Sequence, residues 1–97
     1  MNTFTQYIDT HAEKLDLYTT AITRAHGKNH PEAFDVRDMY VDLKEKTDAA
    51  KPNQPDLNSE FTELREITDN YTIPGDVCET FAAVYNMLKE ANSIYLS

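Results

Sequence analysis

The sequence predicts an all-α protein, an up-down-up-down four-helix bundle. Three observations carry that reading. Apolar residues recur at intervals of three and four in four separate stretches, which is the period of a helix with one buried face. The stretches are divided by two sharp corners and one longer break, His26–Glu32, Tyr71–Asp76 and a Pro-containing linker. No stretch alternates cleanly at the period of a strand.

In the first stretch the stripe is Phe4, Ile8, His11, Leu15, Tyr18, Ile22 and Ala25. It predicts a helix over about residues 3–25, capped by Thr3 or Asn2 and ended by Gly27. His11 lies on the stripe and reads as a packed side chain with one hydrogen bond. After the corner, Asn29 or His30 is placed to cap a helix with Pro31 at its first position and Glu32 in its first turn, where a negative charge meets the exposed N–H groups. Its apolar set is Phe34 or Ala33, then Val36, Met39, Tyr40 and Leu43, and it fades near Asp48. A corner this short makes the two helices antiparallel neighbours.

Residues 49–56 contain Pro52 and Pro55 and no large apolar anchor, and read as a linker. The third helix is expected over 57–70, with Asp56 as cap, Leu57, Phe61, Leu64, Ile67 or Thr68, and Tyr71 inward, and Glu60, Glu63, Arg65 and Glu66 outward. Asp69-Asn70 ends it as turn residues. The fourth is expected over 74–95, opened by Pro74 and by a capping box between Asp76 and Glu79. Its stripe runs from Val77 or Cys78 through Phe81, Val84 or Tyr85, Leu88 and Ala91 to Ile94 or Tyr95.

At 97 residues the chain makes a single domain, residues 1–97, with a modest core. Its formal net charge of −8, from 17 acidic and 9 basic residues, argues against nucleic acid and anionic membrane surfaces as partners. No signal peptide or membrane-spanning run is visible, so the expected location is the cytoplasm. Cys78 has no second cysteine to pair with, and its place on the apolar stripe reads as a buried structural thiol.

For chemistry the candidates are His26 and His30, the two imidazoles of the first corner and the only cluster of metal-ligand residue types. They are four apart, but Gly27 and Pro31 break the helix between them, and two imidazoles leave a metal site incomplete. Histidines of two subunits could complete it. No Glu-x-x-His or His-x-x-x-Glu pair lies on a helix, no nucleophile motif is present, and no active site is readable, which leans away from an enzyme and leaves the question open.

Two stretches resemble a known family. Arg24-Ala25-His26-Gly27-Lys28-Asn29-His30-Pro31-Glu32 is similar to a corner of the iron–sulfur cluster repair (RIC) di-iron proteins, hemerythrin-like four-helix bundles. Leu64-Arg65-Glu66-Ile67-Thr68-Asp69-Asn70-Tyr71-Thr72-Ile73-Pro74-Gly75-Asp76-Val77-Cys78-Glu79-Thr80-Phe81, continuing to Tyr85, is similar to that family's Leu-Arg-x-Leu-Thr-x-Asn-Tyr-x-x-Pro-x-x-Ala-Cys-x-Thr segment. The resemblance implies a shortened hemerythrin-like bundle, a role in cluster repair under nitrosative or oxidative stress, and iron as a possible cofactor, with His26 on a ligand position. The family's other ligands have no counterpart: Glu45–Lys51 holds no histidine, Gln54–Asp56 stands where the family has a His-Asp pair, and the last helix carries no His-x-x-x-Glu. The expectation is therefore no complete di-iron site, and no cofactor, within one chain. The alternative is a non-catalytic helical module that works through a protein partner or self-association.

Overall fold

The computed structural model describes residues 3–97 and is all-helical among them, with α1 over Thr3–His26, α2 over Glu32–Ala50, α3 over Asn58–Ile67 and α4 over Glu79–Leu96. Helix α1 packs on both α2 and α4, and α2 packs on α3, in a body of 38 × 23 × 18 Å. This is the all-α four-helix arrangement that the periodicities predict. No described helix is long and apolar enough to cross a membrane.

The core follows the stripes. Phe4, Ile8, Leu15 and Ile22 of α1 meet Ala33, Val36, Tyr40 and Leu43 of α2, Phe61 and Leu64 of α3, and Phe81, Val84, Tyr85, Leu88 and Ala91 of α4, all buried. Where the sequence leaves Ala33 or Phe34 open as the inward residue, Ala33 is buried and Phe34 is 52% exposed. His11 sits at the margin, stacked on Tyr7, with Nδ1 2.8 Å from the Tyr7 carbonyl. Glu60, expected on the outer face, is instead buried beside Phe61. One of its carboxylate oxygens meets Lys46 of α2 and the other, Oε1, is buried without a hydrogen-bond partner.

The helix boundaries differ most after α3. The helix stops at Ile67, three residues short of the expected end, because Asp69, Asn70 and Tyr71 all take positive φ of 51°, 57° and 62°. Three successive left-handed residues cannot continue a right-handed helix. The turn is held by its own polar groups. Asn70 N–H donates to the Arg65 carbonyl at 2.7 Å and Tyr71 N–H to Thr68 Oγ1 at 2.8 Å. The Tyr71 hydroxyl, buried with its ring, donates to Asn92 Oδ1 of α4 at 3.0 Å, and Arg65 Nη1 donates to the same oxygen. Left-handed geometry at a bulky residue is costly, and this fixed set of partners over-determines it.

Helix α4 begins at Glu79 and not at 74, so Pro74, Gly75 and Asp76 lie in the loop before it and no Asp76–Glu79 capping box forms. The capping position belongs to Cys78, in extended backbone at φ −82°, ψ 173°. At the first corner Pro31 takes the position before α2 without a side-chain cap, so neither Asn29 nor His30 acts as one. Helix α2 continues to Ala50, two residues beyond the expected end. Since α1 starts at Thr3, the cap expected of Asn2 lies outside the described residues.

Candidate functional site

One end of the bundle gathers the last turn of α1, the corner after it and the loop that leads into α4. Gly27 makes the corner possible. Its φ is not positive, so left-handed freedom is not its use here. A Cβ on it would press on the Thr23 carbonyl oxygen and stand 2.6 Å from Cε2 of the Phe34 ring. The chain then reverses through His30 N–H donating to the His26 carbonyl at 2.6 Å. This leaves the imidazoles of His26 and His30 on one side, both against the buried ring of Phe81, with centroids 5.4 and 5.6 Å from it.

His26 faces Cys78. Its Nε2 lies 3.2 Å from Sγ and 3.4 Å from the Cys78 backbone N, which donates to it. The imidazole thus stands within reach of both the thiol and the backbone amide of Cys78. Cys78 is exposed, not buried, and this corrects the reading of it as a core thiol. The thiol is also pulled down to about 7 from an ordinary value of 9.0. The backbone N–H of Phe81, in the first turn of α4, contributes most, followed by the His26 imidazole and then the Thr80 amide. Those amides favour a negative sulfur at the helix start without closing a formal side-chain cap.

His30 is held differently. Its Nδ1 lies 2.9 Å from Glu32 Oε2 and its Nε2 2.8 Å from Asp76 Oδ1. Both ring nitrogens face carboxylates, so both donate, which requires the imidazolium. The hydrogen bond to Glu32 and then that to Asp76 raise its pKa above the ordinary 6.5, and the bond from His30 in turn lowers that of Asp76. The histidine thus ties the 72–78 loop to the start of α2. With both nitrogens engaged, His30 offers no lone pair to a metal in this state.

The two histidines singled out in the sequence are together, ring centroids 6.5 Å apart, but each is paired with something else. Sequence reasoning missed Cys78 as the partner of His26 and Asp76 as the partner of His30, 52 and 46 residues away. The signal lay in the start of α4. A helix opening at 74 carries Cys78 on its inner face, whereas one opening at 79 leaves Cys78 at the mouth of the helix. Among the described residues no group of three or more His, Cys, Asp and Glu side chains is gathered as a metal-binding set. The two stretches 24–32 and 64–85, distant in the chain, meet here through His26 and Cys78. Comparison with family models, curated proteins and solved structures finds no match for the chain.

Proposed function

We propose that this chain acts in defence or repair of iron–sulfur clusters under oxidative or nitrosative stress, with the Cys78 thiol as its working group. The observation that supports this reading is the 3.2 Å approach of an exposed Cys78 Sγ to His26 Nε2. An imidazole beside a thiol at a helix N-terminus favours the thiolate, which is the reactive form of cysteine. Such a thiolate can take a nitrosyl group from an S-nitrosothiol: the donor's S–N bond breaks, an S–N bond to Cys78 forms, and the donor leaves as its own thiolate. Iron enters this reading as a metal bound by fewer ligands than a di-iron centre in one chain requires, with His26 and Cys78 as the donors available.

The thiol half is tested by the rate of Cys78 alkylation with a neutral reagent as a function of pH. The midpoint is expected near 7, and His26→Ala is expected to raise it only part of the way to the ordinary value, since the Phe81 and Thr80 amides remain. A wild-type midpoint at the ordinary value of 9.0 would overturn it. Iron analysis of anaerobically purified protein, and recovery of a nitrosylated [4Fe–4S] enzyme with wild type against Cys78→Ser, test the cluster half. Recovery that is indifferent to Cys78→Ser would sink it.

A further inference from the structure

Where the turn after α3 meets the start of α2 and the first half of α4, the surface opens into a groove of about 200 Å³. We infer that this groove binds a free, small primary alkylammonium, held between the Tyr85 hydroxyl and the carboxylates of Glu32 and Asp69. The inference is independent of any role in cluster repair, and neither Cys78 nor His26 takes part in it.

The decisive group is Tyr85. The residue is 1% exposed and lines the groove, yet its hydroxyl has no hydrogen-bond partner among the described residues. The other buried tyrosines differ in this respect: Tyr40 donates to the Ala12 carbonyl and Tyr71 to Asn92 Oδ1. A buried phenol ordinarily finds a partner, and what this one meets is the groove. Burial first, and then the charge of Glu32, push the phenol up to about 12. It therefore stays a neutral hydroxyl with lone pairs to offer.

The hydroxyls of the turn are already engaged. Thr68 Oγ1 donates to the Leu64 carbonyl and accepts from Tyr71 N–H, and Thr72 Oγ1 donates to the Asp69 carbonyl. What the groove still offers is acceptors. Glu32 gives Oε2 to His30, while its Oε1 has no partner among the described residues, and Asp69 forms no ion pair among them. No Lys or Arg is among the lining residues.

These features select the ligand. Two carboxylates and a phenol oxygen suit a cation that carries several N–H donors. Ile67 and Pro74 complete the lining and give an apolar wall to a short alkyl stem. The volume lies below the roughly 300–1,000 Å³ of sites for drug-sized molecules, so the ligand is small. The formal charge of −8 favours the approach of a cation.

The test titrates butylammonium chloride into the protein at constant ionic strength, followed by amide NMR. Saturable shifts are expected at Glu32, Thr68, Asp69 and Thr72. Tetramethylammonium, which has no N–H, and magnesium chloride are expected to produce none there. Tyr85→Phe keeps the ring and removes only the hydroxyl. Asp69→Asn removes the charge and suits the left-handed backbone at φ 51°. Each is expected to weaken butylammonium binding about tenfold, with far-UV circular dichroism showing that each variant folds. Because the hydroxyl has no partner within the fold, Tyr85→Phe is expected to leave the denaturation midpoint of the free protein no lower than wild type. Absence of saturable shifts, equal binding of tetramethylammonium or magnesium, undiminished binding in Tyr85→Phe, or a lowered midpoint in that variant would each overturn the inference. Tighter binding of a blocked lysine amide than of butylammonium would overturn it too, and would assign the groove to a lysine of a protein partner. None of these measurements reads Cys78 or a cluster, so none bears on the repair reading.

Discussion

The two ends of the bundle are closed by different forces. At one, Phe4, Phe61 and Tyr95 interlock, with ring centroids 5.1 to 5.9 Å apart, and the Tyr95 hydroxyl accepts from the Leu57 backbone N–H at 2.7 Å. At the other, the corner and the loop before α4 are joined by Cys78–His26 and by Glu32–His30–Asp76. Apolar interlocking is indifferent to pH and loses heavily when a ring is removed. Titratable pairs on a partly open end cost little when broken, and respond to protons and metals. The contrast separates the part of the molecule that holds the fold from the part that is free to do chemistry.

The sharpest break of this comparison is Phe61→Ala. The ring is fully enclosed, edge to face with Phe4 and tilted at 40° against Tyr95, so its loss leaves a cavity at the junction of α1, α3 and α4. The expected cost is about 3–5 kcal/mol, read as a lower midpoint in chemical denaturation. A loss below about 1 kcal/mol would mean that the aromatic end does not carry the fold.

At the opposite end the largest structural effect is expected from Gly27→Ala. The added methyl meets the Thr23 carbonyl, which is backbone, as well as the Phe34 ring, which can swing outward. Relief through Phe34 alone is therefore insufficient, and the corner must shift, at about 1–3 kcal/mol. The same variant is expected to disturb the Cys78–His26 approach, seen as a slower alkylation of Cys78 near pH 7. An unchanged rate with lowered stability would show that the pair is positioned by α4 alone.

The aromatic end also contains a flaw. Glu60 is buried next to Phe61 with Oε1 unpaired, and its only partner, the Lys46 ammonium, is half in solvent. Desolvation of that carboxylate outweighs what a half-solvated partner returns. Glu60→Leu is expected to stabilise the protein by about 1–2 kcal/mol while leaving Cys78 reactivity unchanged. A destabilised Glu60→Leu would show instead that the Lys46 pair is a net tie between α2 and α3.

How much of this was legible beforehand divides along the same line. Helices set by apolar period, α1 and α2, were readable to within two residues, because Phe4, Ile8, Leu15 and Ile22 bury whatever happens at the ends. The α3–α4 connection was not. Asp69-Asn70 read correctly as turn residues, but Tyr71 at φ 62° depends on Thr68 and Asn92, and the latter lies 21 residues on. Pro74 and the Asp76-x-x-Glu79 spacing suit a helix start in isolation. Tertiary partners overrode them: Asp76 is occupied by His30, and Cys78 takes the capping position. The candidate site was half legible, since His26 and His30 stood out by residue type, while their partners come from that misread loop.

The smallest expected effect tests the titratable end most directly. His30 has its folded pKa raised by Glu32 and then by Asp76, so its contribution is fully present below the unfolded value of about 6.5 and is lost as pH rises through the higher folded value. Asp76 has the opposite sign. Its folded pKa is lowered by His30, so its contribution is present above the ordinary 3.8 and is lost as pH falls through the lower folded value. The Glu32–His30–Asp76 bridge is thus complete between those limits and loosens from the alkaline side first, when one ring nitrogen ceases to donate. Both groups are solvent-accessible, so the effect on global unfolding is expected to be slight. It should be visible locally instead, as a His30 imidazole resonance titrating above pH 6.5 in NMR, and falling towards that value in Asp76→Asn and in Glu32→Gln. Glu32→Gln should cause the larger fall, because the Glu32 hydrogen bond contributes most. A His30 that titrates at the ordinary value in the wild type would mean that the loop before α4 is not tied to the corner, and that Cys78 meets His26 only in passing.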